Sequence, residues 1–390
     1  MLEEFFVDNY KSLINVTFRQ QHDNLLLGTN NAGKTNLCQA LRFLATTAVI
    51  PLDECADSIA GMRQSITNYY FQQRTIHFQV KANLPFEDGK LSYHYRLAIA
   101  LTPSSMSTPR LEVEEESLHV TGQGFKDTLL LENTSQEVRL LHEEDYAQGQ
   151  TNFIETSAPR GATMLNRLYD MKTNKRANHF KAYLSSWQYF ALSAEALRGT
   201  THRPNYVTLN PDGSNLASCV YQLKTSNERW YRRLLGYLQR IDSRIDLINF
   251  YPVSEDTVLM FFEDKAGNRL PATNASSGTL RFLGLSYILM GQPSRLFSPM
   301  LMIEEPENGI YVSFLKDLLE MARESPYMPQ VIFTTHSPYF VDLFDEHPEN
   351  VFVIKGGKEH STLEQPDTDK IRRNLETFPL GEQHFREMLT

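Results

Sequence analysis

The chain has 390 residues, and its 38 Lys and Arg against 47 Asp and Glu give a net charge of −9. A hydrophobic fraction of 41% and an aromatic fraction of 11% can build a large core, which excludes a chain that is disordered throughout. The acidic balance argues against attraction of the whole molecule to nucleic acid, although it leaves room for a local basic face.

The cysteine content and the apolar stretches indicate a cytoplasmic protein. Cys38, Cys55 and Cys219 are far apart, odd in number and without the paired spacing of a zinc site, so we expect reduced thiols. The first residues have no basic stretch before an apolar one, so no signal peptide is predicted. Apolar stretches such as 282–290 are shorter than the roughly 20 residues that cross a bilayer, so no membrane partner is expected.

The first part of the chain is predicted as strand, loop and helix, followed by a β-rich stretch. Residues 25–27 form a short apolar run typical of a buried strand. After Lys34, apolar residues at Leu37, Ala40, Leu41 and Leu44 have the spacing of one helical face. Residues 1–145 are taken together as the first segment of the chain.

From Thr75 onward the apolar period becomes two, which predicts β-strands. Asp88-Gly89 lies between two alternating runs and predicts a hairpin turn. Acidic stretches at 112–116 and 143–145 are interpreted as solvated strand edges or loops, where charge discourages edge pairing.

Residues 146–200 are predicted as a more helical insertion and 201–390 as a C-terminal lobe of mixed helix and strand. The insertion carries four basic residues in its middle: Lys172, Lys175, Arg176 and Lys181. They form either a solvated helix face or a contact for nucleic acid or an acidic partner. Residues 211–213 predict a turn, with a helix beginning near Ser214.

The segment 28–35, Gly-Thr-Asn-Asn-Ala-Gly-Lys-Thr, matches G-x-x-x-x-G-K-[ST] at every fixed position. It follows the apolar strand and begins the amphipathic helix, which is the context that the motif requires. Gly28 and Gly33 let backbone N–H groups converge on phosphate oxygens, where the helix N-terminus adds positive partial charge. We expect Lys34 to reach the β- and γ-phosphates of ATP and Thr35 to bind Mg²⁺.

Two later strands are predicted to deliver catalytic side chains. The apolar run 300–303 ends in Glu304 and Glu305, of which Glu304 is assigned to the Mg²⁺ shell and Glu305 to the general base. A second run, 331–335, ends at His336, which we expect beside the γ-phosphate if the two strands are neighbours. Pro338 suits the first turn of a following helix.

The order of these motifs resembles the ABC-type ATPases of the RecF and OLD branch. The resemblance rests on the phosphate loop, the stretch Ser276-Ser277-Gly278-Thr279, the stretch Glu304-Glu305-Pro306-Glu307, and Thr335-His336-Ser337-Pro338, with Asn9-Tyr10-Lys11-Ser12-Leu13 as a first-strand motif. It implies an α/β P-loop NTPase fold of the ABC head type, with a β-rich N-terminal lobe at 1–145, a helical insertion at 146–200 and a C-terminal lobe at 201–390.

The same resemblance implies a homodimer in which ATP is sandwiched between two heads, with higher assemblies left open. Ser276 and Gly278 would reach the γ-phosphate held by the other copy, although Ser276 also suits an ordinary helix cap. The remaining nucleotide contacts are expected from Lys11, Asn30, Asn31, Ala32 and Asn36.

The chain departs from the pattern of these ATPases in two places. Glu304 stands where Asp is common, which leaves the magnesium geometry open. The glutamine loop has three candidates, namely Gln64, Gln72 and Gln73, and none has a distinguishing context.

The output of the ATPase is expected to come from another protein. Residues 351–354 are predicted as the last strand, and 367–369 as a polar loop rather than part of a Toprim nuclease. The resemblance then implies a regulatory ATPase that controls a separately encoded effector, a nuclease or toxin, in anti-phage defence. The alternatives are a RecF- or SMC-like DNA clamp, with nucleic acid as a partner, and the motor subunit of a membrane transporter.

Overall fold

A computed structural model describes residues 1–71, 73–103, 108–134, 137–157, 160–169, 173–199, 201–202, 208–254, 257–290, 299–324 and 330–389. Gln72 and Lys172, which the sequence singled out, lie outside these ranges. Within them no helix is both long and apolar enough to cross a membrane.

The described chain contains eighteen strands and twelve α-helices. The strands are β1 Leu2–Asp8, β2 Val16–Arg19, β3 Asp23–Leu27, β4 Thr75–Phe86, β5 Gly89–Thr102, β6 Arg110–Gly122, β7 Phe125–Thr134, β8 Val138–Leu141, β9 Phe153–Thr156, β10 Gln188–Phe190, β11 Thr201–His202, β12 Leu247–Ser254, β13 Thr257–Glu263, β14 Arg269–Pro271, β15 Met300–Glu304, β16 Gln330–Thr334, β17 Val351–Gly356 and β18 Ser361–Glu364. The helices are α1 Lys34–Thr47, α2 Leu52–Ala60, α3 Glu143–Ala147, α4 Met164–Arg167, α5 Lys175–Ser185, α6 Leu216–Ser226, α7 Glu228–Ile241, α8 Ser277–Leu289, α9 Ser313–Glu324, α10 Pro338–Asp342, α11 Thr368–Asn374 and α12 Leu380–Phe385.

Two compact units make up the chain, and neither is contiguous in sequence. The first unit comprises Met1–Gln21, Leu26–Trp187 and Phe352–Gln365; the second comprises His22–Leu25, Gln188–Val351 and Pro366–Thr390. Strands β3 and β17 each contribute residues to both. The division into three segments, 1–145, 146–200 and 201–390, stays a prediction.

The first unit is built on an eight-stranded sheet with the order β2-β1-β4-β5-β6-β7-β8-β9. All of its pairings are antiparallel. The predicted hairpin forms between β4 and β5, where Phe86 pairs with Gly89 and the turn residues are therefore Glu87 and Asp88. The alternating apolar residues of β4 and β5 are buried and their neighbours are largely accessible, which is the period of two that the sequence indicated.

The second unit contains a parallel arrangement of three short strands. Strand β15 pairs on one side with β10 and on the other with β16, with Glu304 opposite Thr334. Every residue of β16 is buried, and so are the first four of β15, as expected for strands covered on both faces. The α/β class predicted from the sequence is confirmed.

The structure differs from several expectations about single segments. Residues 351–354 are not the last strand, because β17 turns back into β18. The predicted polar loop contains Asp367, whose side chain accepts the backbone N–H groups of Asp369 and Lys370 and so caps α11. The insertion predicted as helical also contains β9 and β10.

The acidic stretches include two buried carboxylates, so a solvated edge was the wrong interpretation for them. Glu116 lies inside the sheet on β6 and accepts backbone N–H groups of Met164 and Leu165 at the start of α4. It also accepts the hydroxyl of Tyr95, and burial raises the pKa of Glu116 against these donors. Such acids satisfy the exposed N–H groups of a helix N-terminus.

Candidate nucleotide-binding site

The phosphate loop lies in the first unit, between the end of β3 and the start of α1. Leu26 and Leu27 are fully buried, and the chain then turns through residues with positive φ: Gly28 at 156°, Asn31 at 62° and Gly33 at 114°. Glycine adopts such angles without steric cost, which explains why the two fixed glycines are needed here.

Space as well as backbone angle requires these glycines. A Cβ on Gly28 would stand 2.4 Å from the carbonyl oxygen of Ile354, and one on Gly33 would stand 2.6 Å from Oγ of Ser361. Both partners belong to the β17–β18 hairpin, against which Ala32 also lies closely at Gly356. The hairpin therefore holds the loop in its compact shape from behind.

The ammonium group of Lys34 is held inside this loop. Its side chain is buried, and Nζ donates to the carbonyl oxygens of Gly28 at 2.7 Å and Thr29 at 3.1 Å. An amine that is almost removed from water, with neutral carbonyls beside it, has a strong electrostatic preference for an anion.

The N-terminus of α1 adds partial positive charge at the same place. Gly33 is its N-cap residue and supplies no side chain to accept the first-turn N–H groups. Thr35 is exposed in that first turn, while Asn30 and Asn31 are exposed in the loop. The loop and helix thus combine the features of an anion site.

The first-strand motif is tied to the same helix. Lys11 donates from Nζ to Oε1 of Gln39 at 2.5 Å, and Asn36 donates from Nδ2 to Oγ of Ser12 at 2.7 Å. Burial lowers the pKa of the Lys11 ammonium. Lys11 is thus held against α1, the helix on which Asn36 lies. That both residues contact the nucleotide stays a prediction.

Ser12 and Ser361 also lie at the phosphate loop, beside Gly33, and the sequence did not predict either of them as a nucleotide contact. Oγ of Ser361 donates to Oγ of Ser12 at 2.8 Å, and the backbone N–H of Ser361 donates to the Ser12 carbonyl at 2.6 Å. Ser12 is within the first-strand motif and could have been chosen. Ser361 lies on β18, which the sequence did not predict, so no local signal marked it.

A cavity of about 430 Å³ lies beside Lys11 and Ser12. Its other lining residues include Gln64, Tyr69 and Tyr70. Of the three glutamine-loop candidates, Gln64 lines this cavity, whereas Gln73 accepts from Asn9 through its backbone carbonyl.

The carboxylates lie in the second unit, at the carboxyl end of β15. Glu304 closes the strand, and the next residue, Glu305, has a φ of 45°, an unusual left-handed conformation for a glutamate. Its backbone N–H donates to the carbonyl of Thr334 at 3.0 Å, and Asn308 donates from Nδ2 to its Oε2 at 2.5 Å. Backbone strain of this kind concentrates at functional sites.

His336 follows the neighbouring strand β16 and faces Glu305. Its Nε2 lies 3.7 Å from Oε1 of Glu305, and both side chains remain partly open to solvent. Glu307 holds this end of β16, because its Oε1 accepts the backbone N–H of His336 at 2.9 Å and the hydroxyl of Thr335 at 2.6 Å. The predicted neighbourhood of the two strands is present. Glu307 is a positioning residue, to which the sequence motif assigned no role.

The Ser-Ser-Gly-Thr stretch begins α8 in the same unit. Ser276 caps the helix by accepting the N–H of Thr279 at 3.0 Å, so the helix-cap interpretation is correct. Gly278 has a packing reason of its own, since a Cβ there would stand 2.4 Å from the carbonyl of Gly309.

Arg281 is one helical turn beyond Gly278 and was not predicted. Burial lowers the pKa of its guanidinium, and the charges of Glu305 and Glu307 partly offset this shift. Its position three residues after Gly278, on the same helical face, was the available signal.

The predicted residues therefore fall into two groups, one in each unit. The first unit holds the phosphate loop, Lys11 and Asn36, and the second holds Ser276, Gly278, Glu304, Glu305 and His336. The glycine cradle and the helix N-terminus fit a triphosphate, and the Thr35 hydroxyl and Glu304 carboxylate are hard oxygen donors that suit Mg²⁺. Among the described residues there is no group of three or more His, Cys, Asp or Glu side chains that could hold a metal ion.

Solved structures with a similar fold are heads of SMC proteins. An SMC head bound to the C-winged helix domain of ScpA has a TM-score of 0.54 and 11% identity, covering 95% of this chain and 99% of that one. The SMC head of Thermotoga maritima gives 0.42 and 9%, covering 94% and 99%. An SMC head with an extended coiled coil, bound to the C-terminal domain of ScpA derived from Pyrococcus furiosus, gives 0.47 and 11%, covering 96% and 98%.

The first of these likenesses shows that the chain has the fold of a P-loop ATPase head. No match is found among curated proteins. Residues 24–342, most of the chain, match one sequence family, which covers both the phosphate loop and the carboxylate strand. The chain belongs to that family, described as "AAA domain, putative AbiEii toxin, Type IV TA system".

Proposed function

We propose that the chain binds ATP with Mg²⁺ and hydrolyses it, and that nucleotide-driven pairing of two copies controls a separately encoded partner. The observation that carries the proposal is the phosphate loop, where Gly28 and Gly33 admit no side chain and the Lys34 ammonium donates to two backbone carbonyls of the loop. A loop of this kind at a helix N-terminus is well suited to bind a triphosphate.

Each proposed residue has a defined task in hydrolysis. Lys34 and the first-turn N–H groups of α1 bind the phosphates, and Thr35 and Glu304 supply oxygen ligands. Mg²⁺, when bound, neutralises charge that develops on the phosphates. Glu305 accepts a proton from the attacking water, and His336, 3.7 Å from that carboxylate, orients it.

Pairing of two copies is proposed because the second unit presents another helix N-terminus. The first turn of α8 contains Ser276 and Gly278, and we assign it to the phosphate held by the other copy. A dimer that forms with ATP and separates after hydrolysis is a two-state element that a partner protein can read.

The family description supports a separate partner, since it names a toxin–antitoxin system, which has two components. An SMC head of similar fold is bound by a domain of another protein. We infer a cytoplasmic regulatory ATPase in anti-phage defence, with a nuclease or toxin as the effector. A RecF- or SMC-like clamp is the second candidate, which the shared head fold favours. Mild isolation from the native host separates the two: a stoichiometric effector supports the first, and DNA without one supports the second.

The hydrolysis proposal is tested by Glu305→Gln. The amide cannot take the proton, so turnover should fall about a hundredfold or more while ATP still binds. Phosphate release, nucleotide titration and light scattering should show an inactive protein that binds ATP and accumulates as dimers. Glu320→Gln, exposed on α9, is the matched control and should keep full activity. Wild-type turnover by the Glu305 variant would exclude this residue as general base.

A further inference from the structure

Helix α7 carries a stripe of exposed arginines on an otherwise acidic protein. Four of its fourteen residues are arginines against one glutamate, whereas the whole chain has a net charge of −9. Arg229, Arg232, Arg233 and Arg240 are exposed and recur at the spacing of a single helical face. The opposite face of α7 is buried and apolar.

The carboxylates around the stripe neutralise only part of its positive charge. Arg232 pairs with Glu228 at 2.6 Å, and Arg240 pairs with Asp317 of α9 at 3.1 Å. Among the described residues, Arg229 and Arg233 have no carboxylate within 4.0 Å. The stripe therefore keeps an excess of positive charge that an anionic partner can use.

Aromatic rings hold two arginines of the stripe, Arg233 and Arg240, in place. The Arg233 guanidinium lies 5.3 Å from the Trp230 ring and 5.7 Å from the Tyr237 ring, and that of Arg240 lies 5.4 Å from the same tyrosine. The Arg233 Nε also donates to the hydroxyl of Tyr237 at 3.3 Å. Arginines stacked in this way lose less side-chain entropy when they bind, and interleaved aromatic rings are typical of surfaces that bind nucleic acid.

Gly236 lies in the middle of the stripe and has no packing reason to be glycine. No heavy atom lies within 4 Å of the position that its Cβ would take, and the residue is exposed. Glycine inside a helix is unfavourable relative to almost any other residue, so its presence indicates another requirement. A missing side chain at this point lets a polymer backbone approach the helix closely.

We propose that the α7 stripe binds the phosphodiester backbone of a nucleic acid. From Arg229 to Arg240 the helix rises roughly 16 Å, which spans four to five phosphates of one strand. A membrane does not fit, because the apolar face of the helix is already buried in the protein. The repeated cations and the open glycine favour an evenly charged polymer over a folded acidic protein.

Two of the basic residues that the sequence suggested in the insertion are bound within the fold instead. Arg176 is bound to the buried Glu143 at 3.1 Å, and Lys181 donates to the carbonyls of Asn166 and Leu168. Those cations hold α5 in place, whereas the arginines of α7 project to solvent.

The test is binding of the full chain to fluorescein-labelled single-stranded DNA, the matching duplex and the matching RNA across a salt series. Reversing two charges, in Arg229→Glu with Arg233→Glu, should weaken binding about tenfold. It should also reduce the slope of log K against log salt by about 1.4 on a single strand. The control, Lys126→Glu with Lys265→Glu, makes the same change in net charge at exposed sites elsewhere and should bind like the wild type.

A second variant separates binding from folding. Gly236→Gln favours the helix and meets no neighbour, so its melting temperature should rise while binding to DNA weakens several-fold. The comparison of the three probes tells which nucleic acid is preferred. The proposal is overturned if the wild type binds none of them at low salt, or if the α7 and control variants lose affinity equally. Capture of an acidic protein by α7 without binding to nucleic acid would also overturn it.

Discussion

Gly33 combines three requirements at one position. Its φ of 114° is in a region that residues with a side chain rarely adopt, it is the N-cap of α1, and Oγ of Ser361 would stand only 2.6 Å from a Cβ at this position. Ser12 approaches the same point at 3.0 Å. The motif showed that a glycine is needed, but only the fold shows that two serines from distant parts of the chain press against it.

The substitution Gly33→Ala separates these requirements. The methyl group meets Ser361, and the backbone angle costs about 1–3 kcal/mol in addition, so ATP affinity should fall steeply. Adding Ser361→Ala removes the nearest contact but not the strained angle, so affinity should be restored only in part. Titration with a fluorescent ATP analogue measures both variants. Full recovery in the double variant would mean that backbone angle plays no part.

Two buried glutamates of the first unit each cap the N-terminus of a helix that is distant in sequence. Glu143 is almost completely buried and accepts the backbone N–H groups of Arg176 at 2.9 Å and Ala177 at 3.3 Å, together with the Arg176 side chain. It thus caps α5 from a distance of more than thirty residues in sequence. Glu116 does the same for α4.

Because Glu143 caps α5, we expect its substitution to lower the unfolding free energy far more than substitution of its neighbour Glu144. Glu143→Gln keeps one acceptor but loses the ion pair and places an amide donor against backbone donors, so unfolding free energy should fall by about 2–3 kcal/mol. Glu144→Gln, at an exposed site on the same helix, should change it by less than about 0.5 kcal/mol. Urea titrations followed by circular dichroism measure both. Equal losses would show that burial of Glu143 is unimportant.

The phosphate loop, β15 and β16 could be predicted because each corresponds to a short local pattern in the sequence. A buried strand is an apolar run, and the residues that follow it are read directly from the chain. By contrast, the contact of Ser12 with Ser361 joins residues 349 positions apart. The capping by Glu143 likewise depends on where a distant helix begins. Such contacts have no local pattern, so acidic residues in a row looked like a solvated edge.

In the proposed dimer of the whole molecule, each ATP site is built from residues of both copies. Lys34→Ala removes the phosphate-binding half. Ser276→Asp removes the other half by charge repulsion, yet aspartate still caps α8. Each variant alone should be inactive. In an equal mixture, half of the dimers are mixed and each contains one intact site, so about a quarter of wild-type ATPase activity should return.

Phosphate release from the mixture measures this recovery. Mixing Lys34→Ala with Gly33→Ala is the control, because both changes lie in the same half and no intact site can form. Activity in that control, or none in the first mixture, would contradict shared sites.

The phosphate loop depends on the β17–β18 hairpin, although the two are far apart in the sequence. The loop that would grip ATP is specified near the start of the chain, yet its rear wall, from Ile354 to Ser361, is specified more than three hundred residues later. During synthesis the N-terminal residues emerge first, so the phosphate loop lacks the support of the hairpin until nearly the whole chain has been made. A protein shortened after Trp187 should therefore bind no nucleotide, and an unfinished chain should be unable to start the ATP cycle.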